Sequence, residues 1–145
     1  MKIGFANDHR GYKLKEALKK QLENKYEIID YGTNSEESVD YPDFAFKLGE
    51  GINNKEVDFG VAICGSGIGI SIACNKVKNI RCAKVSNKEE AKITRIDNDS
   101  NIIAFGEKTN VNEALEMIEL FVNTKTSDLE KHKRRINKIK KYEGK

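Results

Sequence analysis

The sequence predicts an α/β domain: a doubly wound, five-stranded parallel sheet with one extra helix at the C-terminal end. Two observations carry this. Short apolar runs alternate with segments of helical spacing five times along the chain. Those runs are nearly continuous rather than alternately apolar and polar, as expected of parallel strands covered on both faces. The length of 145 residues suits a single domain, residues 1–145, with a core of its own.

Residues 2–6 (KIGFA) read as the first buried strand. Residues 10–24 follow, with Tyr12, Leu14, Ala17, Leu18 and Leu22 at helical spacing. Residues 26–30 (YEIID) make the second strand, closed by Gly32. Pro42, the only proline, suits a first turn, so the segment with Phe44, Phe46, Leu48 and Ile52 is expected to be a helix. Residues 58–64 (DFGVAIC) are the third strand and 67–77 the helix after it. A fourth strand is expected at 80–85 (IRCAKV), then a helix over 87–98 with Ser86 or Asn87 as N-cap. Residues 101–105 (NIIAF) are the fifth strand, ended by Gly106. Residues 110–124 form an amphipathic helix with Val111, Leu115, Ile118 and Phe121 or Val122 inward. The last helix is expected from about 128 to 141, with Leu129, Ile136 and Ile139 on one side.

Composition narrows the class. Hydrophobic residues make up 38% and charged residues 34%, which fits a well-solvated globule rather than a disordered chain. No apolar run approaches the roughly 20 residues of a membrane span, and the N-terminus reads as a strand rather than a signal peptide. No membrane partner is expected. Three cysteines without paired spacing favour free thiols in a reducing cytoplasm and argue against a metal site. Net charge is +3, but residues 125–145 alone carry nine Lys/Arg and three acids, a net +6. Such a tail can meet an anionic small molecule or simply water; as a single feature it does not point to nucleic acid.

In sheets of this class ligands bind beyond the carboxyl ends of the strands. Asn7-Asp8-His9-Arg10 follow the first strand, Tyr31-Gly32-Thr33 and then Asp40-Tyr41 the second, Cys64 and a glycine turn the third, Ser86-Asn87 the fourth, and Gly106 and Lys108 the fifth. A site is expected on that rim. The turn, Cys64-Gly65-Ser66-Gly67-Ile68-Gly69, is not a dinucleotide fingerprint. It follows the third strand, its last glycine comes one position early, and no acid ends the next strand. Nor is it a phosphatase loop, since Ile70 and Ser71 stand where an arginine is needed. What remains is a thiol at a helix start, where thiolate is more available, followed by amides free to stabilise an oxyanion. A thiolate so placed can attack a carbonyl or remove a proton beside one. Acyl attack wants an activating histidine, and the chain has only His9 and His132, the latter in the cationic tail. Proton abstraction needs no such partner. Cys74 and Cys82, inside a helix and a strand, fit buried inert thiols. In "KHKRR" Lys131 and Arg135 share a helix face, a pairing suited to phosphate, and Lys108 can join them. Thiol base, oxyanion hole and phosphate clamp together suggest isomerisation of a sugar phosphate.

Along essentially its whole length the chain resembles the ribose-5-phosphate isomerase type B family and its galactose-6-phosphate isomerase relatives. The matching segments are NDHRGYKLK (7–15), IIDYGT (28–33), SVDYPDFA (38–45), ICGSGIGISIACNK (63–76), NDSNIIAFGEK (98–108) and KHKRRI (131–136). The resemblance implies a Rossmann-like domain that forms a homodimer, in some members paired into a tetramer, with each active site built from two chains. It implies aldose–ketose interconversion through an enediolate, without metal or cofactor. By position, Cys64 would move the proton between C1 and C2, and Ser66 would bind the reacting oxygens. The amides from Gly65 through Gly67 and Ile68 to Gly69 would hold the enediolate. Asp8, Tyr41 and Asn98 would contact the sugar, and His9 and Arg135 the phosphate, with Lys108, Lys131 and His132 completing the cationic surround.

Three departures from the family pattern bear on this. Asp97 stands where the family has a histidine that assists opening of the furanose ring. Lys108 and Lys131 stand where it tends to have arginine, keeping charge but losing the bidentate fork. Ile70 occupies the place of a glutamate that some members use as base, which leaves the cysteine mechanism. The expected activity is interconversion of ribose 5-phosphate and ribulose 5-phosphate. The alternatives are the same chemistry on allose or galactose 6-phosphate, or a sugar-phosphate-binding relative without turnover.

Overall fold

Eleven elements alternate along the chain in the computed structural model, which describes residues 1–144; Lys145, counted above in the basic tail, lies outside them. They are β1 (Lys2–Asn7), α1 (Tyr12–Leu22), β2 (Glu27–Asp30), α2 (Tyr41–Asn53), β3 (Phe59–Cys64), α3 (Ile68–Cys74), β4 (Cys82–Lys84), α4 (Lys88–Asn98), β5 (Ile102–Gly106), α5 (Val111–Asn123) and α6 (Glu130–Glu143). All strand pairs are parallel, in the order β2-β1-β3-β5-β4. The chain winds outward from β1 to β2, crosses back to β3, and later inserts β5 between β3 and β4. The reversal lies between β1 and β3, where a doubly wound sheet opens a crevice at its carboxyl edge.

The strand pleat sorts the core into two layers. Ile3, Phe5, Val61, Ile63, Ile103 and Phe105 pack with Leu14, Leu18 and Leu22 of α1 and with Ala114, Met117, Ile118, Phe121 and Val122 of α5. On the opposite face Ala6, Ala62, Cys64, Ile102 and Ala104 meet Ala45 and Leu48 of α2 and Ile70, Ala73 and Cys74 of α3. Small strand residues on that face let α2 and α3 lie close to the sheet. Asn87 caps α4 by accepting the Glu90 N–H at 2.8 Å, and Asn110 caps α5 by accepting the Asn112 N–H at 2.9 Å.

Boundaries differ from expectation in physically definite ways. The helix after β3 stops at Cys74 rather than 77. There Asn75 turns outward and clasps β4, donating to Cys82 O and accepting from Cys82 N, both at 2.8 Å. Phe46 of α2 is exposed, and Ile136 alone of the three apolar positions expected on one side of α6 is buried, since α6 packs chiefly against α4.

Candidate active site

Cys64 is the last residue of β3, the central strand, and its neighbours β1 and β5 end beside it. Its thiol is buried, 4% exposed, and Sγ accepts the N–H of Gly67 at 3.2 Å. A thiolate accepts such a bond more strongly than a thiol does. Gly67 can present its amide this way because it is left-handed, with φ of +81°, and because a Cβ there would fall 2.6 Å from the Phe105 carbonyl carbon. Ser66 is exposed, and its Oγ accepts the Ile68 N–H at 3.1 Å. The Gly69 and Ile70 amides lie in the first turn of α3, where a helix supplies no carbonyl to receive them. Of the four amides expected to hold an oxyanion, those of Gly67 and Ile68 are thus engaged by the site's own sulfur and hydroxyl.

The loop after β1 supplies the next groups. Asp8 is 5% exposed and uses Oδ1 to accept the N–H groups of Arg10 at 3.0 Å and Gly11 at 3.1 Å, which fixes the turn into α1. His9 Nδ1 accepts the Val39 N–H at 3.2 Å. A neutral imidazole that accepts at one nitrogen carries its proton on the other, so Nε2–H is available to donate to an anion. Tyr41 begins α2, and its ring lies against Gly69, whose absent side chain leaves that space. Lys108 follows β5 and is exposed on the same rim.

The remaining expected residues are elsewhere. Asp97 and Asn98 end α4, next to the start of β5, whereas Cys64 pairs with Gly106 at its end. The five residues of β5 put about 13 Å of strand between those edges. Asp97 Oδ1 lies 3.6 Å from Nε2 of His132 in the first turns of α6, and Lys131 and Arg135 are exposed on that helix. His132 Nδ1 is buried and has no partner among the described residues. One chain therefore brings together Asp8, His9, Tyr41, Cys64, the glycine turn and Lys108, and holds Asp97, Asn98, Lys131, His132 and Arg135 at the opposite edge.

Two residues with clear structural weight, Arg10 and Lys15, are given no role by the sequence alone. Arg10 donates its Nε–H to Glu107 Oε2 at 2.6 Å, across the end of β3. Lys15 is fully buried in α1 and reaches Asp30 Oδ2 at 2.9 Å and the Thr33 carbonyl at 2.6 Å. Burial pushes the Asp30 carboxyl up, but hydrogen bonds from Lys15, Lys19 and the Gly32 N–H outweigh it and hold Asp30 below the ordinary carboxylate range. Cys82 sits against Cys74, and a hydrogen bond with Cys74 together with burial pushes its thiol up, which disfavours the reactive thiolate.

A family model described as Ribose/Galactose Isomerase matches residues 3–139. The chain belongs to the ribose/galactose isomerase family. Over 148 aligned residues it is 42% identical to the putative sugar phosphate isomerase YwlF of Bacillus subtilis, covering 100% of this chain and 99% of that one. It is 42% identical to ribose-5-phosphate isomerase B of Escherichia coli over 118 residues, 81% of this chain and 79% of the relative. Among solved structures, ribose-5-phosphate isomerase B of Clostridium thermocellum superposes with a TM-score of 0.94 at 42% identity, covering 99% of this chain and 98% of that one. The Mycoplasma genitalium ribose-5-phosphate isomerase B, solved with bound ribulose-5-phosphate, gives 0.91 at 32% identity, over 99% and 97%. This family, like the parallel α/β fold, is the one the sequence motifs resembled, and its members are sugar-phosphate isomerases.

Proposed function

We propose that this chain interconverts ribose 5-phosphate and ribulose 5-phosphate through an enediolate, with Cys64 as the base. The observation that carries the reading is the buried sulfur at the end of β3, bonded to the Gly67 amide and followed by the exposed Ser66 hydroxyl. Cys64 takes the proton from C2 of the open-chain aldose. The developing charge on O1 meets the Ser66 hydroxyl and the first-turn amides of α3, the O2 proton passes to O1, and Cys64 returns its proton to C1 to give the ketose. His9 Nε2–H and Lys108 face the phosphate. Asp97 accepts the ring hydroxyl proton when the furanose opens.

Asp97, Asn98, Lys131, His132 and Arg135 come from a second copy, so the working unit is a homodimer with shared sites. Two features support this. Those residues sit at the far edge of their own chain from Cys64, and an apolar patch borders the Cys64 rim. Ile68 and Ile72, each 55% exposed and one turn apart on α3, and Tyr41 and Phe46 on α2, the helix packed beside it, are left uncovered within one chain. The three free cysteines fit a reducing cytoplasm. Turnover of ribose 5-phosphate by the purified chain, with Cys64→Ala as control, tests the reading; turnover of allose or galactose 6-phosphate alone would move it to a hexose phosphate.

A further inference from the structure

β1 and β5 flank β3, and the loops that follow them meet over its end. Arg10 gives its Nε–H to Glu107 Oε2 at 2.6 Å, and the Glu107 N–H donates to the Gly65 carbonyl at 3.2 Å. The guanidinium lies directly on Gly65, where a Cβ would come within 2.8 Å of Nε and closer still to Nη1. Any side chain at 65 would displace it. Arg10 and Glu107 thus form a strap over the strand that carries the thiol. Their side chains are 56% and 29% exposed, and ion pairs that open to water add little stability. Among the described residues the four Nη hydrogens of Arg10 go to no acceptor. A rim that keeps a glycine to seat a guanidinium, and then leaves most of its donors unused, is arranged for a ligand.

We propose that Arg10 is a further phosphate ligand of this site, held by Glu107 until the phosphate of the substrate replaces the carboxylate. The proposal rests on the sugar-phosphate reading above. The chemistry favours the exchange: a phosphate dianion has more charge than a carboxylate and three oxygens to match the planar fork. His9 precedes Arg10 in its loop and Lys108 follows its counter-ion, so the two other groups of this chain suited to an anion come from the same two loops. The formal charges on the rim, Asp8 and Glu107 against Arg10 and Lys108, sum to zero whether or not Arg10 is paired; release from Glu107 frees the guanidinium to turn its fork to the dianion. Arg10 also supplies the fork that Lys108 lacks.

Inorganic phosphate is the probe, because its binding is read without turnover. Titration calorimetry on the full chain would compare wild type with Arg10→Ala, Arg10→Lys and Glu107→Gln, alongside kinetics on ribose 5-phosphate. One charge-assisted contact is worth about tenfold in affinity. Arg10→Ala should weaken phosphate by about that factor and raise KM similarly while kcat holds within about twofold. Arg10→Lys should recover part of the loss. Glu107→Gln, which removes the competitor, should tighten phosphate about two- to threefold. Unchanged phosphate affinity and KM in Arg10→Ala, or no phosphate binding by the wild type, overturns the assignment. Arg10-dependent phosphate binding by a chain that turns over no sugar phosphate keeps the assignment and removes the isomerase reading instead.

Discussion

Replacing Lys15 by methionine tests how the site's outer loop is held. The Lys15 side chain is fully buried, and its ammonium touches Asp30 Oδ2 at 2.9 Å, the Thr33 carbonyl at 2.6 Å and Asn34 Oδ1 at 3.3 Å. Removing one partner of a buried pair typically costs about 3–5 kcal/mol. Asp30 is 16% exposed on its side chain and keeps Lys19 at 3.0 Å and the Gly32 N–H at 2.9 Å, so the low end applies. The orphaned Thr33 carbonyl adds up to about 1 kcal/mol, giving roughly 3–4 kcal/mol at neutral pH. Urea unfolding against pH is the assay. Asp30 is held below its ordinary range, so its contribution is present above the unfolded carboxylate value of about 3.9 and fades as pH falls through the lower folded value. The stability gap between wild type and Lys15→Met should therefore close on acidification below pH ~4. The loop from Thr33 leads to Val39, which binds His9, and on to Tyr41, so KM should rise as well. A gap under about 1 kcal/mol, or one that stays constant down to pH ~3, would refute the reasoning.

Other outcomes follow from the same geometry. Gly67→Ala forces a left-handed alanine against the Phe105 carbonyl carbon; it should lose at least about 2 kcal/mol, seen as a fall in Tm of about 6 °C, and lower kcat because the amide on Sγ moves. Cys64→Ala and Arg135→Ala, each inactive alone, should regain about 25% of wild-type activity when refolded together one to one, because half the dimers then hold one intact site. No recovery would contradict shared sites. Asp97→His should raise the initial rate on ribose 5-phosphate at least about twofold where ring opening limits it; an unchanged rate would mean that Asp97 already does this work or that opening is not limiting.

The helices were legible from their 3.6-residue spacing and the strands from short continuous apolar runs between them, and the rim was legible because α/β sheets gather ligand residues at one edge. Cys64, Asp8, His9 and the glycine turn could be placed by position alone. The Arg10–Glu107 pair could not, since its partners are 97 residues apart and meet only because β5 inserts beside β3, which local pattern does not reveal. Lys15 reads in sequence as one more solvated lysine of α1; its burial follows from Asp30 ending the neighbouring β2. Leu129 and Ile139 misled for the reverse reason. Their spacing is helical, but α6 has no second layer to cover them within one chain, and both stay exposed. The separation of Asp97, His132 and Arg135 from Cys64 is likewise a matter of which edge α4 ends on, and no motif encodes that.

The central claim is a cysteine base acting on a pentose phosphate. The most direct measurement is the initial rate of the purified chain on ribose 5-phosphate, beside allose 6-phosphate and galactose 6-phosphate, for wild type and Cys64→Ala. The account predicts pentose turnover by the wild type and a fall of at least about a thousandfold in Cys64→Ala, with substrate binding retained. Full activity without the thiol, or a wild type silent on ribose 5-phosphate, would contradict it.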